Sequence, residues 1–469
     1  NYMIDAAKDT ALDIQYMLPS CVPATPFEHS GAVIGAEEMK EPITRPEILG
    51  LGEFMNFPGI LGGEENAQHE VGETLKAGKC VTGHYSISET DRGLNAYIAS
   101  GVRACHECIT ADDVMAKLRM GMYVQARYGS AWLSLPNYLP QVLESGVDTR
   151  LIILCTDDNH PNTLVNEGGM DRALRAVLGC GCDPVTALQF ATINAAQCLG
   201  VDQDMGSITP GKCADMVILP DLESFVPEQV YIDGDLVAQG GKATFDHELF
   251  EWPDFMTHTM NVGRTFTAAD FEIPVDRPDG MCRVRAIGGV GGSTITEDAV
   301  IEVPVVNGKL QANPAIDALK MAVFDRHHGA EGTHSFGFCT GFGVHGALAQ
   351  TVAHDSHNLL VVGDNDEDMA LAAQTLVECG GGEVAVQDGR VLALVELPVC
   401  GLMSDKHVEE VAREVAAIEQ AWADMGCKMP SPFMTMGILS LPCVPVLRLT
   451  NRGYVNCLTF QFEDLLIEE

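Results

Sequence analysis

Between residues 13 and 157 the chain repeats one pattern, a short apolar run followed by a segment with helical spacing, and this alternation narrows the fold more than any other feature. Consecutive strands separated by helices form parallel sheets, because a parallel neighbour needs a crossover long enough to hold a helix. The pattern predicts strands at 13–18, 48–53, 80–84, 102–106, 122–127 and 151–157. It places helices at 65–77, 93–100, 111–118, 138–145 and 171–178, with another led by Asp183-Pro184 and running to Gln197. The class is therefore α/β. Six strands of one parallel set are most of a (β/α)8 barrel, or else a doubly wound sheet.

The last of these strands ends most abruptly. Leu151 to Cys155 are apolar, as a strand covered on both faces would be, and Asp157 and Asp158 follow directly. Taken alone, two Asp residues could simply cap a loop or helix. Three other strand ends, however, carry Glu53, His84 and His106. In a barrel the C-terminal strand ends converge, so Glu53, His84, His106 and Asp157 could share one cation. Two imidazoles and two carboxylates suit Zn, Mn or Fe, metals that make water acidic near neutral pH.

From Gly206 the pattern is β only, including Val230 to Val237 folded about Asp233-Gly234 as a hairpin. This module, 204–245, has too few strands to close a core. Beyond it, 246–469 reads as an α+β domain. It holds a strand at 358–362, a helix at 367–377, a hairpin about Asp388-Gly389 and a long helix at 404–425 striped by Val408, Val411, Val415, Ile418 and Trp422. Residues 1–203 make up the barrel part.

A formal charge of −38 leaves no basic excess for nucleic acid or an anionic membrane. The sixteen Cys lie mostly in apolar settings, which reads as reduced thiols of a cytoplasmic protein. Cys105 and Cys108 form a Cys-x-x-Cys, but no second pair accompanies it at zinc-finger spacing. No apolar run approaches the roughly 18 residues of a membrane span.

Several stretches together resemble the adenine deaminase family of the amidohydrolase superfamily. They are Met17-Leu18-Pro19-Ser20-Cys21, Gly50-Leu51-Gly52-Glu53-Phe54-Met55-Asn56, Leu94-Asn95-Ala96-Tyr97, Cys105-His106-Glu107, Gly129-Ser130-Ala131 and Cys155-Thr156-Asp157-Asp158. Further along come Asp325-Arg326-His327-His328-Gly329, His354-Asp355-Ser356-His357-Asn358 and Pro432-Phe433-Met434. The resemblance implies a (β/α)8 barrel with a binuclear divalent metal centre, Mn foremost, with Fe or Zn as alternatives. Glu53 would bridge the metals, His84 and His106 would be ligands, and Asp157 would bind metal and shuttle a proton. Glu107 would orient the purine or move its protons, or else support the neighbouring ligand. Activated water would add to C6 of adenine, giving hypoxanthine and ammonia. The implied partner is a small purine, in a cytoplasmic homo-oligomer.

The chain departs from the family in two places. It contains no His-x-His, which the family carries on its first barrel strand, and it starts at Asn1. The expectation is that the first two barrel strands, and part of the β module, belong to a longer protein. Tyr128 stands where the resemblance leads one to expect Glu. Two alternatives therefore stay open: an amidohydrolase acting on another cyclic amidine or amide, and an inactive purine-binding homologue.

Overall fold

The computed structural model describes residues 1–246, 248–288, 294–429 and 431–468. The chain divides into two compact units. The first comprises residues 1–21, 34–159 and 166–250, and the second 22–33, 160–165 and 251–469.

In the first unit, β1 (Tyr16–Pro19), β2 (Ile48–Phe54), β3 (Cys80–Gly83), β4 (Ala104–Cys105), β5 (Tyr123–Arg127) and β6 (Ile152–Cys155) form one sheet. Each pairs in parallel with its neighbour in chain order. A doubly wound sheet requires a point where the strand order reverses, and this order never does, so the sheet follows (β/α)8 succession. All six strands fall within the stretches read from the sequence, or within a residue of them. Leu51, Phe54, Val81 and Tyr97 pack in one cluster, and Val124, Ile152, Leu139, Val177 and Phe190 in another, which sets the helices against the sheet.

Two local expectations shift. The helix after Asp183 is broken at Thr192, whose backbone (φ −127°, ψ −97°) lies outside the helical region. It runs as Pro184–Ala191 and Ile193–Leu199. The strand predicted to reach Asp157 stops at Cys155, so Asp157 stands on the following loop with φ +57°.

The β module is the antiparallel sheet of β7 (Met216–Ile218), β8 (Gln229–Ile232), β9 (Asp235–Gln239) and β10 (Lys242–Ala243). Asp233 and Gly234 both take positive φ (51° and 88°), as a two-residue hairpin turn of the right twist requires.

The second unit centres on a mixed sheet whose inner strands are Leu319–Phe324, Leu359–Gly363 and Ala347–Gln350. Along Leu319–Phe324 alternate residues serve opposite faces. Leu319, Met321 and Val323 join a core that includes Val411, Val415, Ile418 and Trp422 of the helix Val408–Asp424. Ala322 and Phe324 join Met369, Ala373 and Leu376 of the helix Asp366–Cys379. The long helix starts four residues later than the predicted 404, at Val408, the first residue of its apolar stripe, which is exposed.

Residues 22–33 belong to this second core although β1 and β2 flank them in sequence. Phe27 lies edge-on to Phe462, and its carbonyl accepts from Thr450 Oγ1 at 2.7 Å. His29 N–H donates to Asn451 Oδ1 at 3.0 Å, and Asn358 Nδ2 donates to the His29 carbonyl at 2.9 Å. The buried Glu28 carboxyl accepts from Ala24 N–H at 3.1 Å and from the Ser356 hydroxyl.

Candidate active site

Glu53 owes its placement to an irregularity in β2. The register with β3 slips between Leu51 and Phe54, a bulge of the kind that re-aims side chains at barrel rims. Glu53 takes φ +42° there. Its N–H donates to Thr82 Oγ1 at 3.0 Å, and its carbonyl accepts from Ser20 Oγ at 2.9 Å, so both neighbouring strands hold the turn. Gly50 lets those strands close up, since a Cβ there would lie 1.9 Å from the Cys80 carbonyl oxygen.

His84 follows β3, and its N–H donates to Phe54 O and to the buried Tyr97 hydroxyl at 3.1 Å. Tyr97 in turn donates to the Phe54 carbonyl, pinning two adjacent strand ends together. His106 and Glu107 follow β4. The backbone carbonyl of Glu107 accepts at 2.7 Å from Lys117 Nζ, a fully buried ammonium on the helix Ala111–Arg119 that also pairs with Asp113 at 2.7 Å.

These elements bring the five side chains singled out in the sequence into one cluster. Ligand atoms of Glu53, His84 and His106 all lie within 4.8 Å of one another. His106 Nε2 is 3.1 Å from Glu53 Oε1 and 3.9 Å from Asp157 Oδ2. His84 Nε2 is 3.3 Å from Glu107 Oε2, and its buried Nδ1 has no hydrogen-bond partner among the described residues. One carboxylate and two imidazoles, one of them with an unspent ring nitrogen, form a donor set that fits a divalent cation. Asp157 Oδ2 reaches this set at His106 Nε2, 3.9 Å away.

Arg127, at the end of β5, was read from the sequence only as a strand residue. Its guanidinium is almost fully buried, and Nη1 lies 2.8 Å from Asp157 Oδ2 and 3.0 Å from Glu107 Oε2. Burial pulls the Glu107 carboxyl upward, but Arg127 and the imidazoles outweigh it and hold the group well below the usual carboxylate range. The same balance, with His106 and Arg127 against burial, lowers Asp157. For His106, burial works downward, yet Glu53 and Asp157 prevail and raise it to about 9.

The loop bearing Asp157 is stitched to the loop after β5. Tyr128 N–H donates to Cys155 O, and Ser130 N–H donates to Asp158 O, both at 3.0 Å. Gly129 is needed between them, because a Cβ there would meet the carbonyl oxygens of Thr156 at 2.4 Å and Asp158 at 2.6 Å. Tyr128, which replaces the expected Glu, stacks under the Arg172 guanidinium at 4.6 Å. Its ring serves packing there.

In the second unit, His354 Nδ1 pairs with Asp355 Oδ1 at 2.9 Å, and the buried His357 ring lies 5.9 Å from that of His354. Burial, with His354 nearby, lowers His357 to about 3 and keeps it neutral. No disulfide joins the cysteines among the described residues, and most of them are buried or partly buried. No helix among the described residues is long and apolar enough to cross a membrane.

Comparison with known families matches residues 293–461 to the adenine deaminase C-terminal domain and residues 136–237 to the amidohydrolase family. An adenine deaminase of Clostridium botulinum (strain 657 / Type Ba4) is 50% identical over 470 residues, covering 100% of this chain and 78% of the relative. Adenine deaminases of Moorella thermoacetica and Mesorhizobium japonicum are 44% and 38% identical, each over 99% of this chain and 78% and 77% of their own lengths. With that similarity spread over its whole length, the chain belongs to the adenine deaminase family of the amidohydrolases.

Proposed function

We propose that the protein is a metal-dependent hydrolase that converts adenine and water to hypoxanthine and ammonia. The observation that carries this reading is the cluster of Glu53, His84 and His106 flanked by two further carboxylates, in a chain whose relatives bear that activity in their names. Glu53, His84 and His106 would hold a divalent metal, and we assign Mn in a binuclear centre. A cation there supplies the charge that makes water nucleophilic near neutral pH.

Asp157, beside the ligand set, takes the proton of the attacking water and returns it to the departing amine. The C6–N bond breaks, ammonia leaves and the carbonyl of hypoxanthine remains. Glu107, held by His84 and Arg127, faces the ring nitrogen next to C6 and handles its proton. In this reading residues 1–203, apart from 22–33 and 160–165, form the barrel part, 204–245 the β module and 246–469 the C-terminal α+β part, within a cytoplasmic homo-oligomer.

The test is to load the purified protein with Mn, supply adenine, and follow ammonia, hypoxanthine and bound metal together. Stoichiometric metal with ammonia and hypoxanthine in equal amounts supports the assignment. Bound metal without ammonia favours an inactive purine-binding homologue and overturns it.

A further inference from the structure

We infer that Arg127 is a positioning residue that sets the distance between the two proton-handling carboxylates, Glu107 and Asp157, and so matches the site to a cyclic amidine. The inference rests on the deaminase reading above.

One nitrogen, Nη1, reaches both Asp157 Oδ2 at 2.8 Å and Glu107 Oε2 at 3.0 Å. Two carboxylates brought that close repel one another, and one guanidinium nitrogen hydrogen-bonded to Asp157 and ion-paired with Glu107 offsets that repulsion and bridges them. The Arg127 side chain is 3% exposed, so solvent screens this bridge little. Its other polar contact is long, Nη2 to Ser134 Oγ at 3.5 Å, and its Nε has no hydrogen-bond partner among the described residues. The carboxylates, rather than a saturated hydrogen-bond shell, therefore hold the guanidinium where it is.

The chemistry gives this spacing a use. In a cyclic amidine the carbon that loses its amine is bonded directly to the ring nitrogen that exchanges a proton. Asp157 serves the first atom and Glu107 the second, so the two carboxylates must stand close together at a fixed separation. A bridge through a single nitrogen supplies that separation, whereas a pair of unbridged acids would swing apart. An amide substrate has no ring nitrogen at that place and would make no demand on the second carboxylate.

The experiment compares Arg127→Met and Arg127→Lys with the wild-type enzyme, all Mn-loaded. Arg127→Met should lower kcat for adenine about a hundredfold, the scale for displaced catalytic groups, with KM changed less than about threefold. Arg127→Lys, which keeps a cation on a shorter stem, should recover about tenfold of that loss. Metal content should stay at the wild-type value in both, and a crystal structure of Arg127→Met should show the Glu107 and Asp157 carboxylates farther apart. The inference is overturned by a Met variant with wild-type kcat, by loss of metal along with activity, or by carboxylates that keep their places in the variant structure. Absence of ammonia release from the wild type would instead defeat the deaminase assignment, and the carboxylate separation would still judge the bridge.

Discussion

Replacing Lys117 by Met tests how the helix Ala111–Arg119 supports the site. Lys117 is fully buried, and its ammonium meets Asp113 Oδ1 and the Glu107 carbonyl, each at 2.7 Å. Met keeps most of the stem volume but removes the charge, leaving the 15%-exposed Asp113 carboxylate without its cation. Breaking a buried pair on one side costs about 3–5 kcal/mol, because the remaining charge stays desolvated. Removing both partners in Lys117→Met/Asp113→Leu leaves no uncompensated charge and should bring stability back to within about 1–2 kcal/mol of wild type.

Turnover should not return with it, since the Glu107 carbonyl still lacks its donor. The assay is urea unfolding followed through Trp132, which is buried in the first unit, with Trp252 and Trp422 replaced by Phe. An unchanged midpoint for the single variant would refute the reasoning, as would a double variant no more stable than the single.

Other expectations concern individual groups. Asp157→Asn should lower kcat about a hundredfold or more with the circular dichroism spectrum unchanged, and activity above a few per cent would remove Asp157 from proton transfer. Glu53→Ala should lose bound metal by elemental analysis, and full metal content would take Glu53 out of the ligand set. Gly129→Ala should push the Asp157 loop away from the β5 loop, lowering both melting temperature and kcat, because its Cβ would fall 2.4 Å from the Thr156 carbonyl oxygen.

Burial, against the Ser356 and backbone hydrogen bonds and with Asp355 nearby, raises Glu28 to about 8. Its folded-state pKa exceeds the unfolded one, so the protonated form stabilises fully below about pH 4.5, and that stability is lost as pH climbs through 8. Glu28→Gln should therefore match wild type in urea stability near pH 4.5 and exceed it near pH 8. A constant difference between the two across that range would show that Glu28 does not titrate there.

Much of this architecture could be read from residue order, where local chemistry decides the outcome. Asp233-Gly234 and Asp388-Gly389 both make the turns their φ preferences dictate, and the strand ends carrying Glu53, His84 and His106 converge because parallel succession places them side by side. What stayed hidden depends on partners distant in sequence. Arg127 looks like any charged residue closing a strand, and only its meeting with Glu107 and Asp157 reveals an interior guanidinium. Asp113 and Lys117, four apart on a helix, look like a solvated surface pair, yet the helix turns that face inward. The break at Thr192 had no Pro or Gly to announce it, and the long helix begins at Val408 rather than at residue 404, after an extended His407 with ψ 147°.

The docking of residues 22–33 into the second unit also bears on how the protein is made. His29 and Asn451 are bonded across 422 residues of chain. At ribosomal rates of about 5–20 residues per second, the segment emerges roughly 20 to 80 seconds before the partner that completes it. Through that interval Phe27 and the carboxyl of Glu28 have no core to enter, and closing so long a loop makes the step slow as well as late. The second unit therefore cannot finish folding as a late, separate module. It must capture a segment synthesised 422 residues before the partner that completes it, and until then residues 22–33 lack the core that buries them.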